Sequence, residues 1–271
     1  MSDFIIEEFY AEMQKVDLNC FGLLDNNNNI HTLGTDSKII GRIFEMFTQP
    51  VLAKIANKHN MVLATPESQT VYPDFILYTD KDSKEKIAID VKTTYIDDDS
   101  STIKFTLGSY GSYMRNNTKN IEFKYTDYSK HYVIGYVYKR NGSAQESQVV
   151  KYDKRNNIVC PYYDVKYFIQ EKYKIAGDKP GSGNTENIGS FSTRNFNDLK
   201  DGKGPFAELG VDVFDIYWKY YPKYRSQEKS YVSLPDFLIW FEKQDGNTIQ
   251  LLHEFDYSSA KERIVRMLKQ L

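Results

Sequence analysis

The chain has 271 residues, of which 27% are charged and 41% are hydrophobic, a composition typical of one large globular domain or of one domain with a small appendage. The 35 basic residues nearly balance the 37 acidic ones, and the net charge of -2 argues against a small, uniformly basic nucleic-acid binder but leaves room for local basic surfaces. With two cysteines, no run of about 20 apolar residues and no basic signal-peptide start, we expect a cytoplasmic protein without membrane contact.

The first hundred residues predict two helices and two pairs of strands. Residues 3–15 are expected to form a helix, and residues 18–33 two short strands around an asparagine run. Thr35 or Asp36 then caps a long helix with apolar residues at helical spacing, in which Pro50 predicts a kink. Strands over 72–78 and 86–95 follow, separated by a polar, turn-prone run.

The rest of the chain alternates strand and helix patterns. Strands are expected over 101–107, 131–139 and 148–152, a short helix around 113–119, mixed signals over 163–175, and a glycine-rich loop over 176–190. Helices are expected over 211–220, 234–241 and 258–271. The pattern predicts an α/β fold with a mixed central sheet flanked by helices. We expect one domain over 1–245 and a C-terminal extension of unknown role over 246–271.

Three charged residues converge in the predicted strand pair. If the hairpin is symmetric about Asp82, Asp74 lies opposite Asp90, and strand alternation puts Lys92 on the same face as Asp90. Facing carboxylates repel unless a cation bridges them, and with water and a phosphate they form the hard oxygen site that suits Mg²⁺. Lys92 could orient a water or neutralise charge developing on phosphorus. The alternative is an ordinary salt-bridge cluster, which a short D-x-K motif does not exclude.

The order of several motifs carries a resemblance over most of the chain. Pro73-Asp74 followed by Asp90-Val91-Lys92 is the arrangement of the PD-(D/E)-x-K nucleases. The segments YPDFILY, KIAIDVKTTY, KFTLG, RNNTKNI, IGYVY, GSGNT and NIGS, in this order, resemble the EcoRV-like type II restriction endonucleases. The resemblance implies a restriction-endonuclease-like fold and an enzyme that cleaves both strands of DNA at a palindromic site.

The resemblance also assigns roles to single residues around the strand pair. It implies that Asp74 and Asp90 bind the metal, that Lys92 is the catalytic lysine, and that Glu45 is an accessory acid that can join a second metal site. Asp36 matches an accessory position near the DNA. The expected cofactor is Mg²⁺, with Mn²⁺ able to substitute for it and Ca²⁺ supporting DNA binding without cleavage.

A glycine-rich segment is the second candidate site, and it consists of Gly181, Ser182, Gly183, Asn184 and Thr185. It lacks the lysine of a phosphate-binding P-loop, and its composition alone favours a flexible surface loop. In a DNA reader, Asn184 can bond adenine at N6 and N7, and the methyl group of Thr185 can touch a thymine methyl. The resemblance makes this the recognition loop, which implies the target GATATC cut centrally to blunt ends with 5′-phosphates. The flexible central TA step would be read through bending.

Further DNA contacts, to the backbone or the minor groove, are implied for Lys38, Gln69, Thr70, Thr93, Ser112, Lys119 and Lys203. Two features depart from the family pattern. Thr70 and Val71 replace the residues expected in their loop, and Glu186 places an acid beside the recognition loop. An acid near phosphates weakens binding unless it points away.

The expected partners are double-stranded DNA and a second copy of the chain, because each subunit of a two-fold enzyme reads half of a palindrome. Segments 19–32 and 148–160 are candidate dimer contacts, and a cognate DNA methyltransferase is expected in the same cell without direct binding. Two alternatives stay open: a related nuclease with a different target or a repair role, and a catalytically silent DNA-binding protein.

Overall fold

A five-stranded mixed sheet in the order β3–β4–β5–β7–β9 forms the centre of the molecule. Its strands are β3 (Val62–Ala64), β4 (Phe75–Tyr78), β5 (Lys86–Ile96), β7 (Tyr128–Arg140) and β9 (Tyr162–Glu171). β5 and β7 are parallel, and the other neighbours are antiparallel. This computed structural model describes residues 3–68, 70–181 and 186–270. The predicted α/β fold with a mixed sheet is confirmed.

One face of the sheet packs against two N-terminal helices, α1 (Phe4–Met13) and α2 (Ser37–Lys58). Asp36 caps α2 by accepting hydrogen bonds from the backbone N–H groups of Lys38 and Ile39. The helix runs without a break through Pro50. Alternate residues of β5 (Ile87, Ile89 and Val91) are buried in this layer.

The opposite face carries the C-terminal helices, α5 (Val211–Tyr220), α6 (Leu234–Glu242) and α7 (Tyr257–Leu268), and the shorter α3 (Lys172–Ile175) and α4 (Phe196–Lys200). Ala88 of β5 is buried in this layer. The expected extension joins the same core, because Ile249, Ala260 and Ile264 are at most 2% exposed. Among the described residues, none of the helices has the length and apolar content that crossing a membrane requires.

Two small antiparallel sheets lie outside the central one. The first has the order β1–β2–β8, from β1 (Gly22–Leu24), β2 (Asn29–Thr32) and β8 (Val149–Lys151). The second has the order β10–β11–β6, from β10 (Ala176–Pro180), β11 (Asn187–Ser190) and β6 (Thr106–Ser109). The expected strand over 101–107 therefore begins later, and the expected loop over 176–190 has a strand at each end.

The short helix expected around 113–119 is wrong, because this segment forms a series of turns. Asn116 accepts hydrogen bonds at its side-chain oxygen from the backbone N–H and the hydroxyl of Thr118. The side chain of Asn117 bonds the backbone and the hydroxyl of Thr126. Such side-chain bonds compete with the backbone hydrogen bonds of a helix, which explains why this segment forms turns instead.

Candidate active site

The hairpin of β4 and β5 has the predicted register. Phe75 pairs with Ile89, and Leu77 pairs with Ile87, which continues to Asp74 opposite Asp90. Apolar residues on both strands fix this register, since a slip of one residue would turn every buried side chain to the other face.

Asp74, Asp90 and Lys92 meet at the end of this hairpin. Nζ of Lys92 lies 2.8 Å from Oδ2 of Asp90 and 4.0 Å from Oδ2 of Asp74. Oδ2 of Asp74 also accepts a hydrogen bond from the backbone N–H of Val91 at 2.7 Å. Asp90 is 3% exposed, and the side chains of Asp74 and Lys92 are each 26% exposed, so the cluster extends from a buried carboxylate to groups that solvent can reach.

The electrostatics of the cluster depend on its burial. Burial and, after it, the neighbouring charge of Asp90 raise the pKa of Asp74 from 3.8 to about 7. Burial alone would lower the pKa of Lys92, but the carboxylates of Asp90 and Asp74 outweigh this and raise it. Lys92 is therefore a cation at neutral pH, and Asp74 carries a charge that the site stabilises poorly without a further cation.

The carboxylate pair fits a divalent cation. Apart from the ion pair with Lys92, Oδ2 of Asp90 has no hydrogen-bond donor among the described residues. Both carboxylates line a cavity of about 220 Å³ together with Lys92, Thr70 and Ser112. Two carboxylates beside an open space give the oxygen ligands that Mg²⁺ prefers, with room for water and a phosphate.

Glu45 lies on α2 and lines a neighbouring cavity of about 440 Å³, which Asp74 also lines. Its carboxylate forms an ion pair with Arg42, one turn earlier in the helix. Within the described ranges, no three His, Cys, Asp or Glu side chains are close enough together to hold a metal. Glu45 is thus near the pair but does not complete a three-carboxylate cluster.

The other predicted contact positions have different surroundings. Thr70 and Ser112 line the cavity of the carboxylate pair. Thr93 directly follows Lys92 on β5. Lys38 and Lys119 are exposed. Lys203 is bound within the protein, since its Nζ lies 3.1 Å from Asp198 and 3.4 Å from Asp201. Gln69 lies outside the described residues.

The predicted recognition loop is described only at its ends, because Ser182, Gly183, Asn184 and Thr185 lie outside the described residues. At one end, the backbone N–H of Gly181 donates to the carbonyl of Asn187 at 2.8 Å. At the other end, Glu186 points toward the protein. Its carboxylate lies 3.5 Å from Arg115 and accepts a hydrogen bond from the backbone N–H of Tyr224 at 3.2 Å.

The sequence analysis did not identify one buried lysine near this site. Lys172 begins α3 and is 3% exposed, with its Nζ 3.9 Å from the ring centroid of Tyr72 and 3.3 Å from the hydroxyl of Tyr113. Both tyrosines line the cavity of the carboxylate pair. No sequence signal could have found it, because Gln-Glu-Lys-Tyr-Lys reads as a solvated segment.

Known proteins resemble this chain over most of its length. The family described as restriction endonuclease EcoRV matches residues 14–242. The type II restriction enzyme EcoRV of Escherichia coli is 44% identical over 220 residues, which cover 81% of this chain and 88% of that protein. The solved structure of the NlaIV restriction endonuclease is 12% identical to this chain in an alignment that covers 98% of this chain and 87% of that protein, with a TM-score of 0.34.

Proposed function

The chain belongs to the EcoRV restriction endonuclease family and is a type II site-specific deoxyribonuclease, and we propose that it cleaves the DNA sequence GATATC at its centre, which leaves blunt ends with 5′-phosphates. The observation that carries the catalytic part is the buried cluster of Asp74, Asp90 and Lys92 beside an open cavity. The proposed specificity rests on the Gly-Ser-Gly-Asn-Thr segment that begins at Gly181, which matches the recognition loop of the EcoRV-like enzymes.

We propose Mg²⁺ as the divalent ion of this enzyme and Asp74 and Asp90 as the residues that hold it. When bound, the ion would supply a Lewis acid for the scissile phosphate and its attacking water. Glu45 is the accessory acid, because it lines the cavity next to Asp74. Mn²⁺ is expected to replace Mg²⁺, and Ca²⁺ to support DNA binding without cleavage.

The protein's own groups then have distinct tasks. The backbone N–H of Val91 fixes Asp74, and the ion pair with Asp90 fixes Lys92. Because its pKa is raised, Lys92 can donate a hydrogen bond to a water or a phosphate oxygen but is a poor proton acceptor. It would therefore orient the attacking water and offset the negative charge that develops on the phosphate.

We propose that the enzyme works as a homodimer joined through the β1–β2–β8 sheet. Three large apolar side chains of this sheet are exposed to solvent: Leu23 by 62%, Leu24 by 58% and Val149 by 62%. Clustered exposed apolar side chains are typical of a surface that contacts another protein. A two-fold dimer would place one active site on each strand of a palindrome. Since such an enzyme also cuts the DNA of its own cell, a cognate methyltransferase is expected there.

Digestion of a plasmid of known sequence tests the proposal. The plasmid carries one GATATC site, and the matched control plasmid differs from it by one base in that site. We expect Mg²⁺-dependent linearisation of the first alone, with ends that map to the centre of the site and no cleavage with Ca²⁺ or a chelator. The proposed specificity would be overturned by staggered ends or by ends that map to another sequence. The departures from the family pattern at Thr70 and Val71 would explain a different target sequence.

A further inference from the structure

Lys172 is buried in a way that stability alone does not explain. It is 3% exposed, and within the described part of the chain no carboxylate lies within 4.0 Å of its Nζ. Burying an ammonium group without such a partner is costly, and an apolar side chain of similar volume often stabilises a fold in its place. The cost of this burial indicates that the charge acts on groups nearby.

The contacts of Lys172 form the wall of the active-site cavity. Its ammonium group lies on the face of the Tyr72 ring and donates a hydrogen bond to the hydroxyl of Tyr113. The two rings stack with their centroids 4.5 Å apart, and both line the cavity of Asp74, Asp90 and Lys92.

Tyr72 is also held by contacts other than those with Lys172. Its hydroxyl lies 2.8 Å from Nδ1 of His131, and burial lowers the pKa of His131, so its ring is neutral and can accept this hydrogen bond. The backbone of Tyr72 bonds the carbonyl of Asn120 and the N–H of Glu122. Tyr72 precedes Asp74 by two residues, so the segment that these contacts hold is the one that carries the carboxylate.

We propose that Lys172 is a positioning residue for DNA cleavage, which holds Tyr72 and Tyr113 in the wall of the cavity that Asp74 and Asp90 line. This inference rests on the proposed roles of Asp74 and Asp90. Burial lowers the pKa of Lys172 to about 8 while the field of Asp90 opposes this, so the charge persists at neutral pH.

Lys172→Met tests the proposal, because it removes the charge and keeps the length of the side chain. On whichever sequence the parent enzyme cleaves, we expect the single-turnover cleavage rate to fall about 10–100-fold, the effect of a small misplacement of reacting groups. Affinity for the same DNA in Ca²⁺ should change less than about three-fold, and the melting temperature should stay equal or rise.

Lys174→Met is the matched control, because Lys174 lies in the same short helix but pairs with Glu171. It should cleave like the parent enzyme. A Lys172→Met rate within about three-fold of the parent, or an equal loss of rate and of affinity in Ca²⁺, would overturn the proposal.

Tyr113→Phe keeps the inference testable if Lys172→Met does not fold. It removes the hydroxyl that Lys172 contacts, so we expect a smaller loss of rate at unchanged DNA affinity, and an unchanged rate would overturn the proposal. The proposed function fails separately: a parent that cuts a sequence other than GATATC defeats the specificity, and full activity of Asp90→Asn defeats the catalytic assignment.

Discussion

Asp74 and Val91 are joined across the hairpin by a hydrogen bond of 2.7 Å from the backbone N–H of Val91 to the carboxylate of Asp74. Val91 lies between Asp90 and Lys92, so this one contact ties the corner before β4 to the part of β5 that carries both charged residues. A displacement of one strand relative to the other would therefore change the distances from Asp74 to Val91 and to Lys92, whereas Asp90 and Lys92 would move together on β5.

Asp90→Asn should abolish most cleavage while the protein stays folded. The amide keeps the shape of the carboxylate but supplies no negative charge for a cation and none to hold Lys92, whose Nζ lies 2.8 Å away. We expect single-turnover cleavage in Mg²⁺ to fall by at least about 100-fold. Asp82→Asn, at the exposed turn of the same hairpin, is the control and should cleave normally. Equal rates for the two variants would exclude Asp90 from catalysis.

The stability of the metal-free protein should depend on pH through Asp74. Its pKa is raised from 3.8 to about 7, so the folded state holds a proton in this range that the unfolded chain has released. This contribution to the free energy of unfolding falls as pH rises from about 4 to about 7 and is constant above. Asp74→Asn removes it.

Urea denaturation of the metal-free proteins at several pH values measures this effect. We expect the free energy of unfolding of Asp74→Asn, relative to the parent, to increase between about pH 4 and about pH 7. For Asp82→Asn, this relative value should stay nearly constant. The same constancy in Asp74→Asn would show that its carboxyl titrates normally.

The central hairpin was predictable because local signals agree there. A polar turn and two apolar strands fix one register, and that register alone brings Asp74 and Asp90 together. The long helix was predictable for the same reason, since Asp36 is a strong cap and the apolar spacing is regular.

The parts that were missed depend on contacts distant in sequence. β3 has three residues and forms as an edge strand against β4. β11, which was expected as part of a loop, pairs with β6 about 80 residues away. Lys172 is buried because α3 packs it against tyrosines from two other segments. Such contacts leave no local pattern in the sequence, so neither strand and helix propensity nor hydrophobic periodicity predicts them.

Glu186→Gln should change DNA binding little. The carboxylate already faces Arg115 and accepts a hydrogen bond from the backbone of Tyr224, so its charge is partly offset within the protein. We expect the affinity for site-bearing DNA in Ca²⁺ to stay within about three-fold, with the same salt dependence. Stability should fall by about 0–1 kcal/mol, since the ion pair is partly exposed.

Lys119→Gln is the comparison for that measurement. Lys119 is an exposed base at an expected phosphate contact, so its loss should weaken binding and reduce the slope of log affinity against log salt by about one. If Glu186→Gln instead strengthened binding strongly and made the slope steeper, Glu186 would face the DNA.

Ile264→Ala should show that the C-terminal extension belongs to the core of the enzyme. Ile264 is fully buried in the layer that contains α5 and α6, and nearby Arg263 donates to the carbonyl of Leu209 at 2.7 Å. Removal of three buried carbon atoms should lower the free energy of unfolding by about 2–4 kcal/mol in urea denaturation. Lys269→Ala, at the exposed end of α7, should have almost no effect. An equally small effect of Ile264→Ala would mean that the extension packs only loosely on the family domain.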